Sequence, residues 1–203
     1  MSNNTRKVST RTLVELALLT AIIVVMSFTP IGYLKTPIVE ITFITIPVVI
    51  GAILVGPAAG AFLGGVFGLT SFIQCFGMSQ FGAMLLSINP FWTFIICFVP
   101  RVLMGWLCGI IFRAMLKCDR TKFKLWAYGV GAFSGAALTT ILCVITLVVL
   151  FGRTDFILSI GDTLPKLIAA RVGLNGVIEA VVCTIVGAAV AKALSRALSR
   201  TRK

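Results

Sequence analysis

A row of polar residues inside an apolar stretch near the end of the chain is the first candidate for chemistry. Arg171, Asn175 and Glu179 follow one another at intervals of four residues, so on a helix their side chains share one face. A charged side chain at the centre of a bilayer costs about 2.5–3.5 kcal/mol on insertion scales. We therefore expect this row to face a protein interior or a cavity and not lipid.

A second charge, Arg101, follows Pro100 within another long apolar stretch. At a rise of about 1.5 Å per residue, we expect Arg101 and Glu179 at similar depth, in the outer half of the membrane. Two interpretations stay open, and they are compatible. One is a structural ion pair between Arg101 and Glu179. The other is a water-accessible pocket for a small solute, in which Arg101 or Arg171 receives an anionic group.

Three uncharged polar residues, Gln74, Gln80 and Asn89, fall where the outer mouth of such a pocket is expected. Their amides would add neutral hydrogen bonds to a solute, although ordinary loop polarity is the alternative for each of them. The candidate solute-binding residues are Arg101, Asn175, Glu179, Arg171, Asn89 and Gln74.

The composition is that of an integral membrane protein. The 203 residues are 59% hydrophobic and 12% charged, with a mean hydropathy of +1.08, whereas soluble domains carry about 25% charged residues. Most of the 18 lysines and arginines fall before the first apolar stretch, at 113–124 and at 192–203. This is the pattern of the positive-inside rule, so the net charge of +12 reflects topology, and we expect no nucleic-acid partner.

We predict an all-α membrane protein with a single domain at 1–203 and both termini in the cytoplasm. The six transmembrane helices are expected at about 12–28, 41–55, 58–76, 91–116, 125–151 and 166–191, followed by a basic cytoplasmic tail at 192–203. The loops at 29–40, 77–90 and 152–165 would face outward, and Pro100 should interrupt the fourth span.

Small residues form two stripes. Gly60, Gly64 and Gly68 lie on one face of the third span, and Ala17 and Ala21 make a similar step on the first span. Such steps allow close contact between helices in lipid. Packing within the protein is the simplest interpretation for the third span, whereas for the first span docking to another membrane subunit is an alternative.

Catalytic and metal-binding motifs are missing from the sequence. The chain has no histidine, its six cysteines form no CxxC pair, and no phosphate-binding loop or catalytic triad is present. We therefore expect no enzyme activity, no metal and no cofactor. If the protein transports a solute actively, the energy must come from elsewhere than hydrolysis of ATP by this chain.

The sequence resembles the substrate-binding S components of energy-coupling factor (ECF) vitamin transporters. The resemblance is carried by the step from Ala17 to Ala21, by the segment 46–60 with the glycines that follow it, and by the Asn175-Gly-Val-Ile-Glu-Ala180 segment. It implies a bacterial plasma-membrane protein that binds a vitamin from outside, beneath the loop at 29–40. It also implies delivery through a separate module of one transmembrane coupling protein and two ATP-binding cassette ATPases, with Ala17 and Ala21 as the docking surface.

Within that family, the segments 67–73, 89–91 and 100–101 look most like the pantothenate type. Pantothenate offers a carboxylate to Arg101, and hydroxyl and amide groups to Asn175, Gln74 and Asn89. An S component for riboflavin or another vitamin is the first alternative, and a self-sufficient secondary transporter is the second. The concentration of polar groups in the outer half of the spans favours a pocket open to one side.

Overall fold

The structure is a computed structural model that describes residues 10–29, 32–35, 40–78, 80–118 and 124–151, together with the isolated positions 181, 184, 185 and 189. Its helices are α1 (Thr10–Phe28), α2 (Thr45–Leu54), α3 (Pro57–Gln74), α4 (Gln80–Ile88), α5 (Pro90–Cys118) and α6 (Lys124–Phe151). Two three-residue strands, β1 (Tyr33–Lys35) and β2 (Glu40–Thr42), pair antiparallel between α1 and α2. The expected sixth span and the basic tail lie outside the described residues, apart from the four isolated positions.

The described part of the chain is thus helical except for one short hairpin, as the predicted fold class requires. Among the described residues, three helices are long and apolar enough to cross a membrane, over Pro57–Gln74, Pro90–Met115 and Phe133–Leu150. Two further apolar helices, Thr12–Phe28 and Thr45–Leu54, are shorter. The number of spans in the whole chain and the side of each terminus stay predictions.

The second span differs from its prediction at 41–55. Its first residues belong to β2, and the helix begins only at Thr45. With ten residues, α2 is about 15 Å long, roughly half the thickness of a hydrocarbon core. Pro47 fits because it lies in the first turn, where backbone N–H groups have no partner within the helix. Residues 45–53 are all buried, so this half-length helix forms the centre of the bundle.

Two further expectations were wrong. The segment 77–90, expected as a loop, contains the helix α4, because Leu85 and Ile88 give it an apolar face that packs beside Ile96 of α5. The expected interruption at Pro100 is also missing, since α5 runs unbroken through it. Pro100 is fully buried, and neighbouring helices make an internal proline tolerable in a membrane helix.

The tightest contact in the fold joins α3 to α5 along a glycine seam, which consists of Gly60, Gly64 and Gly68 of α3 with Gly105 and Gly109 of α5. A methyl group on Gly60 would collide with the carbonyl oxygen of Gly105, and one on Gly64 would collide with the carbonyl oxygen of Arg101. Backbone therefore lies directly against backbone, as small residues permit in lipid. This confirms the prediction that the glycine stripe of the third span packs within the protein.

Candidate solute-binding site

Arg101 lies in the first half of α5, where α3, α5 and α6 meet, and its depth in the membrane stays a prediction. Its guanidinium carbon is 5.1 Å from the centroid of the Phe67 ring on α3, within the range of a cation–π contact. Its Nη1 atom donates to the sulfur of Cys143 on α6. Since its carbonyl oxygen also touches Gly64, the glycine seam fixes the height of Arg101 relative to Phe67.

A cluster of buried polar side chains joins α1 to α3 next to Phe67. The Ser27 hydroxyl donates to the carbonyl of Ile23 at 2.7 Å and lies 3.1 Å from Thr70 Oγ1, which is 2.9 Å from the Phe67 carbonyl. Gln74 Nε2 donates to the Ser27 carbonyl at 2.5 Å. We call Ser27, Thr70 and Gln74 the polar cluster.

The polar cluster supplies a hydrogen-bond donor to the backbone at the C-terminal end of α1. Ser27 is one of the last four residues of α1, whose carbonyls have no partner within the helix, and Gln74 supplies the missing donor. Along α3, Phe67, Thr70 and Gln74 are three and four residues apart, so they occupy one face of that helix. The ring that contacts Arg101 and the amide of Gln74 therefore belong to one surface.

Replacing Gln74 by leucine is expected to destabilise the solute-free protein by about 1–3 kcal/mol, because the buried Ser27 carbonyl loses its donor. Thermal unfolding in detergent measures this. Thr140→Val is the control, since among the described residues that hydroxyl bonds the carbonyl of Ala136 in its own helix, and its loss should change stability little. Unchanged stability of Gln74→Leu together with weaker solute binding would contradict the structural role and assign the amide to the solute.

Asn89 begins α5 as the sequence predicted. Its Oδ1 atom accepts hydrogen bonds from the backbone N–H groups of Phe91 at 3.1 Å and Trp92 at 3.5 Å. This is the arrangement of a helix N-cap, and Pro90 follows at the position where proline is favoured. The oxygen of Asn89 is therefore occupied by the cap, and its role in solute binding stays a prediction.

Ala17 and Ala21 lie on the exposed face of α1. Leu13, Val14, Leu18 and Val25 are also exposed on this helix, with between 55% and 63% of their surface accessible. The opposite face carries the buried residues Leu19, Ile23 and Ser27. The small-residue step thus points away from the described bundle, where lipid or another membrane protein can reach it.

Sequence reasoning missed Phe67 and Cys143 as partners of Arg101, and Ser27 and Thr70 as members of the polar cluster. For Phe67 a signal existed: it lies three residues after Gly64 and one before Gly68, on the side of the third span that the glycines mark for close packing. Arg171, Asn175 and Glu179 lie outside the described residues, so their position and the ion pair between Arg101 and Glu179 stay predictions.

Comparison with known sequences decides the family. The family model described as ECF transporter, substrate-specific component, matches residues 11–191. The chain belongs to this family. This S component is therefore a transport protein and not an enzyme, and it is a multi-pass protein of the bacterial cell membrane.

Two relatives of this S component carry names that state a substrate. It is 31% identical over 162 residues to the pantothenic acid transporter PanT of Lactococcus lactis subsp. cremoris, and the aligned region covers 74% of this chain and 76% of the relative. It is 30% identical over 193 residues to the pantothenate transporter PanT of Leuconostoc mesenteroides, and the aligned region covers 93% of this chain and 92% of the relative.

Proposed function

We propose that this S component captures pantothenate outside the cell and delivers it through an ECF module of one coupling protein and two ATP-binding cassette ATPases. The observation that carries the proposal is the position of Arg101. This cation lies within the apolar helix α5, beside the Phe67 ring of α3 and in contact with Cys143 of α6. The names of the two relatives support the choice of solute.

The chemistry of the site suits a solute that carries a carboxylate together with hydroxyl and amide groups. A guanidinium binds a carboxylate through charge-assisted hydrogen bonds, which are stronger in a low dielectric than in water. Phe67 is fully buried and its ring packs against the Arg101 guanidinium, and we propose that Asn175 and Asn89, with Gln74, bind the uncharged polar groups. In this proposal Arg171 and Glu179 complete the site from a sixth span, with both termini in the cytoplasm.

The test is a thermal-unfolding screen of the detergent-purified protein against the B vitamins. Ligand at 100 times its Kd adds about 2.7 kcal/mol to the stability of a protein that binds it, so a saturating solute should raise the unfolding temperature clearly. We expect pantothenate alone to do so. A rise with riboflavin would replace the proposed solute, and no rise with any vitamin would contradict the proposal.

We also propose that the exposed face of α1 at Ala17 and Ala21 docks on the coupling protein. Ala17→Trp should abolish uptake of labelled pantothenate in cells that contain the ECF module, because the indole fills the space that a close helix contact needs. Binding to the purified protein should be unchanged, since Ala17 is exposed and lies ten residues before the buried Ser27 of the polar cluster, almost three turns away along α1. The measurements are uptake and binding on the same variant.

Val149→Trp provides the control for this docking surface. Val149 is 72% exposed on α6, so the same bulky group is placed on a different apolar face. Uptake should persist in that variant. Loss of uptake in both variants would mean that any bulky surface substitution interferes, and normal uptake by Ala17→Trp would remove the docking role from α1.

A further inference from the structure

Two cysteines from different helices lie next to each other near the candidate site. Cys75 directly follows the last residue of α3, and Cys97 lies in the first half of α5, one turn before Arg101. Their sulfur atoms are 3.8 Å apart, and both cysteines are free thiols. The function proposed above uses neither of them.

The packing around this pair holds the two sulfur atoms together. On one side, the glycine seam continues to Gly68, where a Cβ atom would lie 2.8 Å from the Cα atom of Phe98, so the backbones of α3 and α5 are in direct contact there. On the other side, a Cβ atom at Gly82 of α4 would lie 2.6 Å from the sulfur of Cys75. The pair is therefore enclosed between two helices and beneath a third.

The geometry is close to what a disulfide bond requires. An S–S bond is about 2.05 Å long, so the two sulfur atoms, which are 3.8 Å apart, must approach by roughly 1.8 Å. Cys75 is only 5% exposed, whereas Cys97 is partly buried. Cys97 is therefore the more exposed residue of the pair.

We propose that Cys75 and Cys97 form a dithiol site that a two-electron oxidant of the diazene class closes into a disulfide bond between α3 and α5. The sulfur of Cys97 adds to one nitrogen of the N=N bond, and its proton ends on the other nitrogen. The sulfur of Cys75 then attacks that of Cys97, the S–N bond breaks, and the Cys75 proton goes to the departing nitrogen. The two thiols lose two electrons and two protons, and the diazene becomes a hydrazine.

The other described cysteines lie in different surroundings. Cys108 is fully buried in the main core, and Cys143 contacts Arg101. Replacing Cys143 should therefore leave the reaction of the dithiol site intact, which makes Cys143→Ser a control with the same chemical change as the test variants.

The experiment counts thiols in the full chain. Purified protein is treated with diamide, quenched with acid, unfolded in detergent, and labelled with a maleimide that adds a mass visible on a gel. We expect the treated protein to lose two of its six labelled thiols, to regain them after reduction, and to remain a monomer on a non-reducing gel. Mass spectrometry of the digested wild-type protein should find one linked pair of peptides, with Cys75 and Cys97.

The variants decide which thiols have reacted. Cys75→Ser and Cys97→Ser should each lose no thiol to diamide, whereas Cys143→Ser should lose two. The proposal is overturned if the wild-type protein loses none, or if the linked peptides contain any other pair. The peptide analysis of the wild-type protein gives this answer even if a serine variant does not fold, and it does not depend on which solute the protein binds.

Discussion

Arg101→Ala is expected to weaken pantothenate binding about 10- to 100-fold, because a hydrogen bond to a charged group contributes about 1.5–3 kcal/mol. The guanidinium lies between Phe67 and Cys143, so no neighbouring cation on α5 can take its place. Isothermal titration of the detergent-purified protein measures the change. Arg101→Lys keeps the charge but not the planar fork, and its affinity should fall between those of the wild-type protein and the alanine variant.

Arg113→Ala is the matched control for this prediction. Arg113 lies on the same helix, is exposed, and packs against Gly56 in the turn between α2 and α3, far along α5 from the candidate site. Its loss should change the affinity less than about twofold, a difference of about 0.4 kcal/mol. Equal losses of affinity in the two variants would count against a specific role for Arg101.

The same variants separate the two interpretations of Arg101 that the sequence left open. If Arg101 binds the solute, its removal lowers the affinity for pantothenate. If Arg101 serves only in an ion pair with Glu179, then Arg101→Ala and Glu179→Gln should both lower the unfolding temperature, while the affinity of the folded protein stays unchanged. Measurement of unfolding and affinity on each variant distinguishes the two cases.

Gly64→Ala should destabilise the protein by about 1–3 kcal/mol, although one methyl group is the smallest change that a glycine allows. The added carbon would collide with the carbonyl oxygen of Arg101 and come within 3.2 Å of the Cα atom of Val102. Because the obstacle is backbone, α3 and α5 must move apart. Thermal unfolding in detergent should show the loss, and solute affinity should fall with it as Arg101 shifts away from Phe67.

The next residue along α3 provides the control. A Cβ atom at Gly65 would lie 3.7 Å from the Phe98 ring and from a methyl group of Val102, which is ordinary contact. Gly65→Ala should therefore be neutral or stabilising by up to about 1 kcal/mol, the difference in helix propensity between the two residues. Equal stability of the two variants would contradict the close backbone contact between Gly64 and Arg101.

The parts of the fold that local sequence specifies were predicted well. Apolar runs bounded by charges or by glycine and proline placed α1, α3, α5 and α6 within a few residues of their observed ends. The Asn89-Pro90 pair marked the start of α5, and the turn before Pro57 uses Gly56 at φ +131°, a conformation that favours glycine. In each case, the residue type acts on the backbone next to it.

The missed features depend on contacts between distant segments. The uncharged segment at 77–90 looked like a loop, and it forms α4 because its apolar face packs on α5. Pro100 looked like a break, and burial against neighbouring helices keeps α5 continuous. Counting along the chain placed Arg101 in the first half of its helix, whereas its partners Phe67 and Cys143 depend on which helices pair, and a single sequence does not specify that.

The glycine seam has a consequence for how this protein moves. Most helix pairs meet through a layer of side chains that can change rotamer, which lets one helix slide over the other in small steps. Between α3 and α5 that layer is missing over several turns, so a relative shift requires several backbone contacts to break together. The two helices therefore behave as one rigid body that carries Phe67 and Arg101 at constant separation. Among the helices that the structure describes, α1 and α6 can open or close the space around them.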